Sequence, residues 1–222
     1  TIFAALGLKT QVIISERNDP ARQSFGKFWD TLRKLTYRFA DKVSANSPNA
    51  IDSLKAYVSE KKLVLVPNAL SAPNAQYLRP YEKKEKSILI VGRLHEQKAH
   101  HVLLSAFAQI HKDFKDWKLE IVGDGPLRAR LEKQAQDLNI SDSVFFEGVT
   151  DNPYAYYARA SIFVLPSLHE GTPNALLEAM SCGIAPIISD ACEGAFPFID
   201  NDKSGIIFPV GDTNALAAAL KE

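Results

Sequence analysis

The chain has 222 residues, 26 basic against 26 acidic side chains, and 46% hydrophobic residues. Balanced charge argues against a dedicated nucleic-acid binder, which carries a basic excess, so no nucleic-acid partner is expected. No run of about 18 apolar residues occurs and no signal-peptide pattern opens the chain, so no membrane-spanning segment is expected.

The sequence opens Thr1-Ile2-Phe3 without a methionine, its one methionine being Met180, and closes inside the helix-like run Ala215–Leu220. These features give the expectation of a fragment of a longer protein. The two cysteines, Cys182 and Cys192, read as reduced structural thiols of a cytoplasmic protein.

In chain order, short β-branched apolar runs recur at Gln11–Ser15, Lys62–Val66, Ser87–Val91, Lys118–Val122, Ser161–Leu165, Ala185–Ser189 and Gly205–Phe208. They have the composition of buried parallel strands. Helical patterns such as Val102–His111 and Leu127–Leu138 lie between them, and alternation of this kind predicts an α/β fold with parallel sheets. Residues 68–86, which hold Pro73, Pro80 and the charged run Glu82–Lys86, read as a linker. The expected organisation is the tail of one Rossmann-like domain at 1–67 and most of a second at 87–222. Ligands in such sheets bind beyond the carboxyl ends of the strands. Gly92, Gly123, Pro166 and Asp190 all follow strand ends, so their loops are expected to converge on one cleft.

Between residues 22 and 43, Phe28, Leu32, Leu35, Phe39 and Val43 recur at helical spacing, and Arg22, Lys27, Arg33, Lys34, Arg38 and Lys42 outnumber Asp30 and Asp41. The favoured reading is a domain helix with its apolar face in the core. The second is a basic amphipathic helix in peripheral contact with an anionic membrane.

The most informative stretch is His169 to Gly183. Glu170 and Glu178 stand with seven residues between them. Thr172 is the expected N-cap, Pro173 the first helical residue, and Gly183 the left-handed residue that ends the helix. The N–H groups of Asn174, Ala175 and Leu176 would then form an anion site at the helix start. Carboxylates on either side suit a ligand with a phosphate in the middle and hydroxyls at both ends, as in a sugar nucleotide.

The Glu170–Glu178 segment resembles the Glu-x7-Glu motif of the retaining, GT-B-type glycosyltransferases of the GT4 family. Val91-Gly92-Arg93-Leu94-His95-Glu96-Gln97-Lys98 resembles the family's Gly-Arg-Leu…Lys element. Ile121-Val122-Gly123-Asp124-Gly125-Pro126 resembles its strand followed by Gly-Asp-Gly-Pro, and Val66-Pro67-Asn68 its hinge-proximal Pro-Asn.

The resemblance implies a GT-B fold of two Rossmann-like domains, the N-terminal one partly present. It implies transfer of a hexose or N-acetylhexosamine from a nucleotide-diphosphate sugar, taken as UDP-linked, to a glycan or lipid-linked acceptor. The transfer would retain anomeric configuration without a metal, and no cofactor is expected. Residues carried over are Arg93 and Lys98 on the donor diphosphate, Glu170 on the donor sugar and Glu178 on the ribose. Catalytic roles go to Glu170, Arg93 and Lys98. Gly92, Gly148, Val149, Gly171, Thr172, Asn174, Ala175 and Leu176 complete the donor side, with Gly148 and Val149 near the base.

Many family members carry a histidine in the loop that here reads Ser15-Glu16-Arg17-Asn18-Asp19-Pro20, so Glu16, Arg17 or Asn18 is the candidate to face the sugar. The wording of that loop resembles bacterial enzymes of polysaccharide, lipopolysaccharide or capsule synthesis, at the inner face of the cell membrane. Sugar-nucleotide 2-epimerases share the architecture and are the alternative, together with a non-catalytic nucleotide-sugar-binding module.

Three patterns are set aside. Gly123-Asp124-Gly125 lacks the third glycine of a dinucleotide fingerprint, because Arg128 stands there. His95 and His100 are one residue too far apart for a zinc-protease helix. Asp200-Asn201-Asp202 reads as a turn before a strand.

Overall fold

The computed structural model describes residues 2–5, 7–17, 19–21, 24–70, 72–200 and 203–222, and for Glu193 the backbone. Asn18 as a sugar-side candidate, Arg22 of the basic segment, and Asn201 and Asp202 of the turn reading lie outside the described residues. The chain forms two compact units: 1–69 with 170–172, and 70–169 with 173–222.

The first unit runs α1 (Ile2–Ala5), β1 (Ile13–Glu16), α2 (Lys27–Thr36), β2 (Lys42–Ala45), α3 (Pro48–Lys55) and β3 (Leu63–Leu65). The strands form a parallel sheet in the order β1-β2-β3. Its small core holds Ala40, Val43, Ala45, Ala50, Leu54 and Val58. Ser47 caps α3 by accepting from the Ala50 N–H at 3.3 Å, with Pro48 in the first turn, where its missing donor costs nothing.

Two expectations about the 22–43 segment are corrected. Val43 belongs to β2 and not to a helix; it is buried in register with Ile14 of β1. The apolar side chains of the helix do not face a core: Phe28 is 69% and Trp29 59% exposed, and Phe25, Leu35 and Phe39 are exposed as well. The buried residues of α2 are Arg33 and Thr36. Arg33 donates to the Pro20 carbonyl at 3.1 Å and pairs with Asp30 at 3.3 Å and Glu16 at 3.8 Å, so its charge is answered on three sides. An open groove of about 370 Å³ lies along Phe25, Trp29, Leu32, Arg33, Thr36 and Tyr37.

The second unit runs β4 (Glu85–Val91), α4 (His100–Ile110), β5 (Lys118–Val122), α5 (Arg128–Asp137), β6 (Val144–Gly148), α6 (Tyr154–Arg159), β7 (Ala160–Leu165), α7 (Asn174–Ser181), β8 (Ala185–Ser189), β9 (Ile206–Phe208) and α8 (Thr213–Ala219). All strands are parallel, in the order β6-β5-β4-β7-β8-β9. Glu85 and Lys86, read from sequence as linker, begin β4, and 3-10 turns occupy Ala75–Tyr77 and Tyr81–Lys83.

β4 and β7 are nearly continuous buried runs because both faces of the sheet are covered. One apolar cluster joins α4, α5 and α8 to one face, and a second joins α6 and α7 to the other. Asp212 caps α8 by accepting from Asn214 and Ala215 N–H, both at 2.9 Å. Gly183 closes α7 at φ 66°: its N–H bonds Met180 O at 3.0 Å and that of Ile184 bonds Ala179 O at 3.4 Å, the paired bonds of a glycine helix stop. Cys182 and Cys192 are both buried and are not joined in a disulfide.

Among the described residues no helix is long and apolar enough to cross a membrane, and no group of three or more His, Cys, Asp or Glu is placed to hold a metal ion.

Candidate active site

In the six-stranded sheet the chain proceeds outward from β4 in one direction and from β7 in the other. These neighbours define the switch point, and in sheets of this kind ligands bind at the carboxyl ends of the strands beside it. Gly92, Arg93 and Lys98 follow β4, and residues 166–169 follow β7.

Gln97 ties the two loops together. Its main-chain oxygen accepts from the Leu168 N–H at 2.8 Å, and its side-chain amide donates to the His169 carbonyl at 2.9 Å. The loop after β5 is bound to the β4 loop by backbone: Gly92 N–H to Val122 O at 2.9 Å, Leu94 N–H to Asp124 O at 3.0 Å, and Leu127 N–H to Leu94 O at 3.2 Å. The β8 end is joined through the Ser189 hydroxyl, which donates to Ser167 O at 2.6 Å. The expected convergence of the loops after Gly92, Gly123, Pro166 and Asp190 is therefore a continuous set of hydrogen bonds.

Among these loops Gly92 and Lys98 meet: a β-carbon at Gly92 would lie 3.3 Å from Lys98 Cε, so the lysine stem runs over the glycine. Arg93 is exposed. Two cations issuing from one short loop provide charge-assisted donors suited to a diphosphate. Gly148 (φ 74°) gives its carbonyl to the Gly123 N–H at 2.7 Å, so that oxygen already has a partner, while Val149 is 79% exposed.

The start of α7 departs from expectation. Pro173, not Thr172, is the N-cap, and the helix makes no side-chain cap bond there. The Leu176 N–H turns back to Pro173 O at 3.2 Å, which removes it from the predicted anion-binding set. Glu178 lies in α7, half-buried, and accepts from the Tyr157 hydroxyl at 3.0 Å.

Glu170, Gly171 and Thr172 group with the first unit. There the Thr172 hydroxyl donates to Asn46 O at 2.9 Å, and the Asn68 amide donates to Thr172 O at 3.2 Å. A β-carbon at Gly171 would come within 3.6 Å of Arg17 O and Asn46 Oδ1. The Glu16 carboxylate takes the Tyr37 hydroxyl at 2.9 Å and lies 3.8 Å from Arg33, with 12% of the side chain exposed. Burial and this carboxylate hold the Tyr37 phenol well above its ordinary pKa. Arg17 remains exposed.

The sequence reading missed Gln97, Asn46 and Tyr157. Gln97 lies within the quoted Gly-Arg-Leu…Lys stretch, yet nothing in its spacing signals a bond to residue 169. Asp200 does sit in a turn, its carbonyl accepting from Lys203 and Ser204 N–H at 3.0 and 2.9 Å.

Residues 78–222 match the family described as Glycosyl transferases group 1. The chain is 31% identical, over 97% of its length and 60% of the relative's, to the N-acetylgalactosamine-N,N'-diacetylbacillosaminyl-diphospho-undecaprenol 4-alpha-N-acetylgalactosaminyltransferase of Campylobacter jejuni. It is 33% identical, over 99% of its length and 60% of the relative's, to a second transferase of that organism. That relative is named as an alpha-1,4-N-acetyl-D-galactosaminyltransferase acting on GalNAc-alpha-(1->4)-GalNAc-alpha-(1->3)-diNAcBac-PP-undecaprenol. The chain thus spans about 60% of the length of these relatives. Among solved structures, Anabaena HepE in complex with UDP and glucose superposes with a TM-score of 0.87 at 18% identity, over 99% of this chain and 63% of that one. Staphylococcus aureus TarM superposes at 0.82 and 19% identity, over 95% and 43%. The α/β architecture with parallel sheets is that of GT-B glycosyltransferases, and by its sequence match over more than half its length the chain belongs to the group 1 glycosyl transferases.

Proposed function

We propose that the chain is the donor-side part of a GT4-type transferase. In this reading it moves a hexose or N-acetylhexosamine from a nucleotide-diphosphate sugar, UDP-linked in the first instance, to a glycan or lipid-linked acceptor in bacterial surface-polysaccharide assembly. The observation that carries the reading is the switch point, where Gln97 binds the loop of Arg93 and Lys98 to the loop after β7.

Cleavage of a sugar–diphosphate bond places negative charge on the leaving phosphate. Arg93, Lys98 and the first N–H groups of α7 are the donors proposed to receive it. Each charge-assisted bond contributes roughly 1.5–3 kcal/mol, against the ~8 kcal/mol or more by which enzymes lower barriers, so such a set supplies a large share. Glu178 is assigned to the ribose hydroxyls and Glu170 to the donor sugar. With the departing diphosphate taking the acceptor proton, the transfer retains configuration and needs neither a metal nor a protein nucleophile.

The acceptor reading draws on the two Campylobacter relatives, whose names carry undecaprenol-linked acceptors. A lipid-linked acceptor is met at a membrane. The exposed aromatic face of α2, with Lys27, Lys34 and Arg38 also exposed, suits peripheral contact with anionic lipid at the inner face of the cell membrane. The 2-epimerase alternative is not favoured, since these relatives are transferases.

The test is calorimetric titration with UDP, GDP and ADP, with and without EDTA, of the chain and of its Arg93→Ala and Lys98→Ala variants. Binding of one diphosphate that survives EDTA and weakens about tenfold or more in each variant is expected. Binding that disappears with EDTA, or that ignores both substitutions, would refute the reading.

A further inference from the structure

Tyr157 is completely buried in the second unit. It meets Tyr154 edge-on at 5.8 Å and Phe163 edge-on at 6.0 Å. Its carbonyl and that of Ala158 both accept from the Lys84 ammonium, at 3.0 and 3.3 Å, which ties down the last turn of α6. A phenol placed so firmly has one direction for its hydroxyl, and that hydroxyl donates to Glu178 Oε2 at 3.0 Å. Burial and the Glu178 carboxylate raise the Tyr157 pKa well above the ordinary phenol value, so it is a constant donor across the pH range in which proteins work.

A free glutamate side chain samples many rotamers and loses that freedom when it grips a ligand. A carboxylate also has about four acceptor positions, of which Tyr157 fills one. We propose that Tyr157 is a positioning residue for nucleotide recognition: its buried hydroxyl fixes Glu178 Oε2 and thereby presents Oε1 to the vicinal diol of a ribonucleoside diphosphate. This rests on the assignment of Glu178 to the ribose. It adds that preference for a ribose over a sugar without the diol is set by a residue that never touches the ligand. Preorganisation of this kind raises affinity by removing an ordering cost, not by adding a contact.

The experiment measures diol preference, the ratio of dissociation constants for 2′,3′-dideoxynucleoside diphosphate and nucleoside diphosphate, with whichever of UDP, GDP or ADP binds tightest. Calorimetry is run on the chain, Tyr157→Phe, Glu178→Gln and the double variant. The expected result is a preference of about tenfold or more in the unaltered chain, lost in Glu178→Gln. In Tyr157→Phe it falls about fivefold, while affinity for the dideoxy analogue stays within about twofold. The double variant should match Glu178→Gln. A merely structural tyrosine would lower thermal stability and leave the ratio alone. An unchanged ratio in Tyr157→Phe, with the ratio collapsed in Glu178→Gln, overturns the positioning role and leaves the ribose assignment intact. No diol preference in the unaltered chain, an unchanged ratio in Glu178→Gln, or no binding of any of the three nucleotides overturns the assignment and this inference with it. If Tyr157→Phe does not fold, Lys84→Met releases the Tyr157 carbonyl and so loosens the placement of the phenol against Glu178. A reduced ratio is again expected there, and an unchanged one overturns the proposal.

Discussion

A β-carbon at Gly123 would stand 2.0 Å from the carbonyl oxygen of Gly92. Gly123 also has φ 135°, a conformation that L side chains rarely adopt. Packing and backbone geometry therefore both demand glycine where the β4 and β5 loops cross. Gly123→Ala should cost about 3 kcal/mol or more in urea unfolding, and nucleotide binding should weaken with it. A loss below about 1 kcal/mol would mean that the loops separate easily and that the close approach is not needed.

Glu120 lies on β5 with its side chain 2% exposed, receiving the Ser87 hydroxyl and the Arg159 guanidinium, which also lies over the Tyr156 ring at 4.4 Å. Arg159→Met strands a buried carboxylate that Lys118, at 3.9 Å, answers only at the limit of an ion pair. A destabilisation of roughly 3 kcal/mol is expected, with a large part recovered in the double variant with Glu120→Gln, whose neutral amide needs no counter-charge. Equal stability of the single and double variants would refute this.

His100 is buried, and neither ring nitrogen has a hydrogen-bond partner among the described residues. Burial first, then the charges of Lys98 and His101, lower its pKa to about 4 from 6.5. The folded value lies below the unfolded one, so the unfolded chain takes up the proton first as pH falls. The associated stability is present above about pH 6.5 and is lost between there and pH 4, by roughly 3 kcal/mol at most. Urea midpoints measured across that window should fall in the unaltered chain and fall less steeply in His100→Leu. Parallel slopes would exclude His100 as the source.

Trp29 is an exposed reporter on α2, while Trp117, the second tryptophan, is partly buried. Vesicles of phosphatidylglycerol should shift Trp29 emission to the blue and carry the chain down on sedimentation, and phosphatidylcholine alone should do so weakly. Lys34→Glu with Arg38→Glu should abolish co-sedimentation, because both side chains are exposed and lie on the aromatic helix or its first continuation. Unchanged co-sedimentation would refute the lipid contact. A concentration-dependent dimer without vesicle binding would instead assign the aromatic face to a second copy.

Much of the second unit was legible in the sequence because buried parallel strands carry a signal of their own: Lys118–Val122 and Ala185–Ser189 match the predicted bounds residue for residue. β2 was not legible. Val43 falls at helical spacing after Phe39, and Lys42 and Ser44 give a four-residue strand no apolar run. The cap of α7 was misread for a related reason. Thr172 has the right chemistry for a cap, but its hydroxyl goes to Asn46, 126 residues away, and no local rule anticipates such a partner. The Tyr157–Glu178 and Gln97–His169 bonds escaped notice likewise, since periodicity reports which face a residue occupies and not which distant atom it meets.

The bonds that hold the β4 and β5 loops together, and the bond from Gly123 to Gly148, run from amide to carbonyl, with glycine at the tightest crossing. A frame of that kind is indifferent to most of the side chains mounted on it. Val149, which is exposed, can change without disturbing the peptide bonds beneath it. Changes at the crevice surface therefore have exposed positions to work with, while an exchange at Gly123 meets both a clash and an unfavourable φ. Diversification of such a crevice would proceed by re-dressing an invariant skeleton, and a library confined to the exposed positions should yield folded proteins at high frequency.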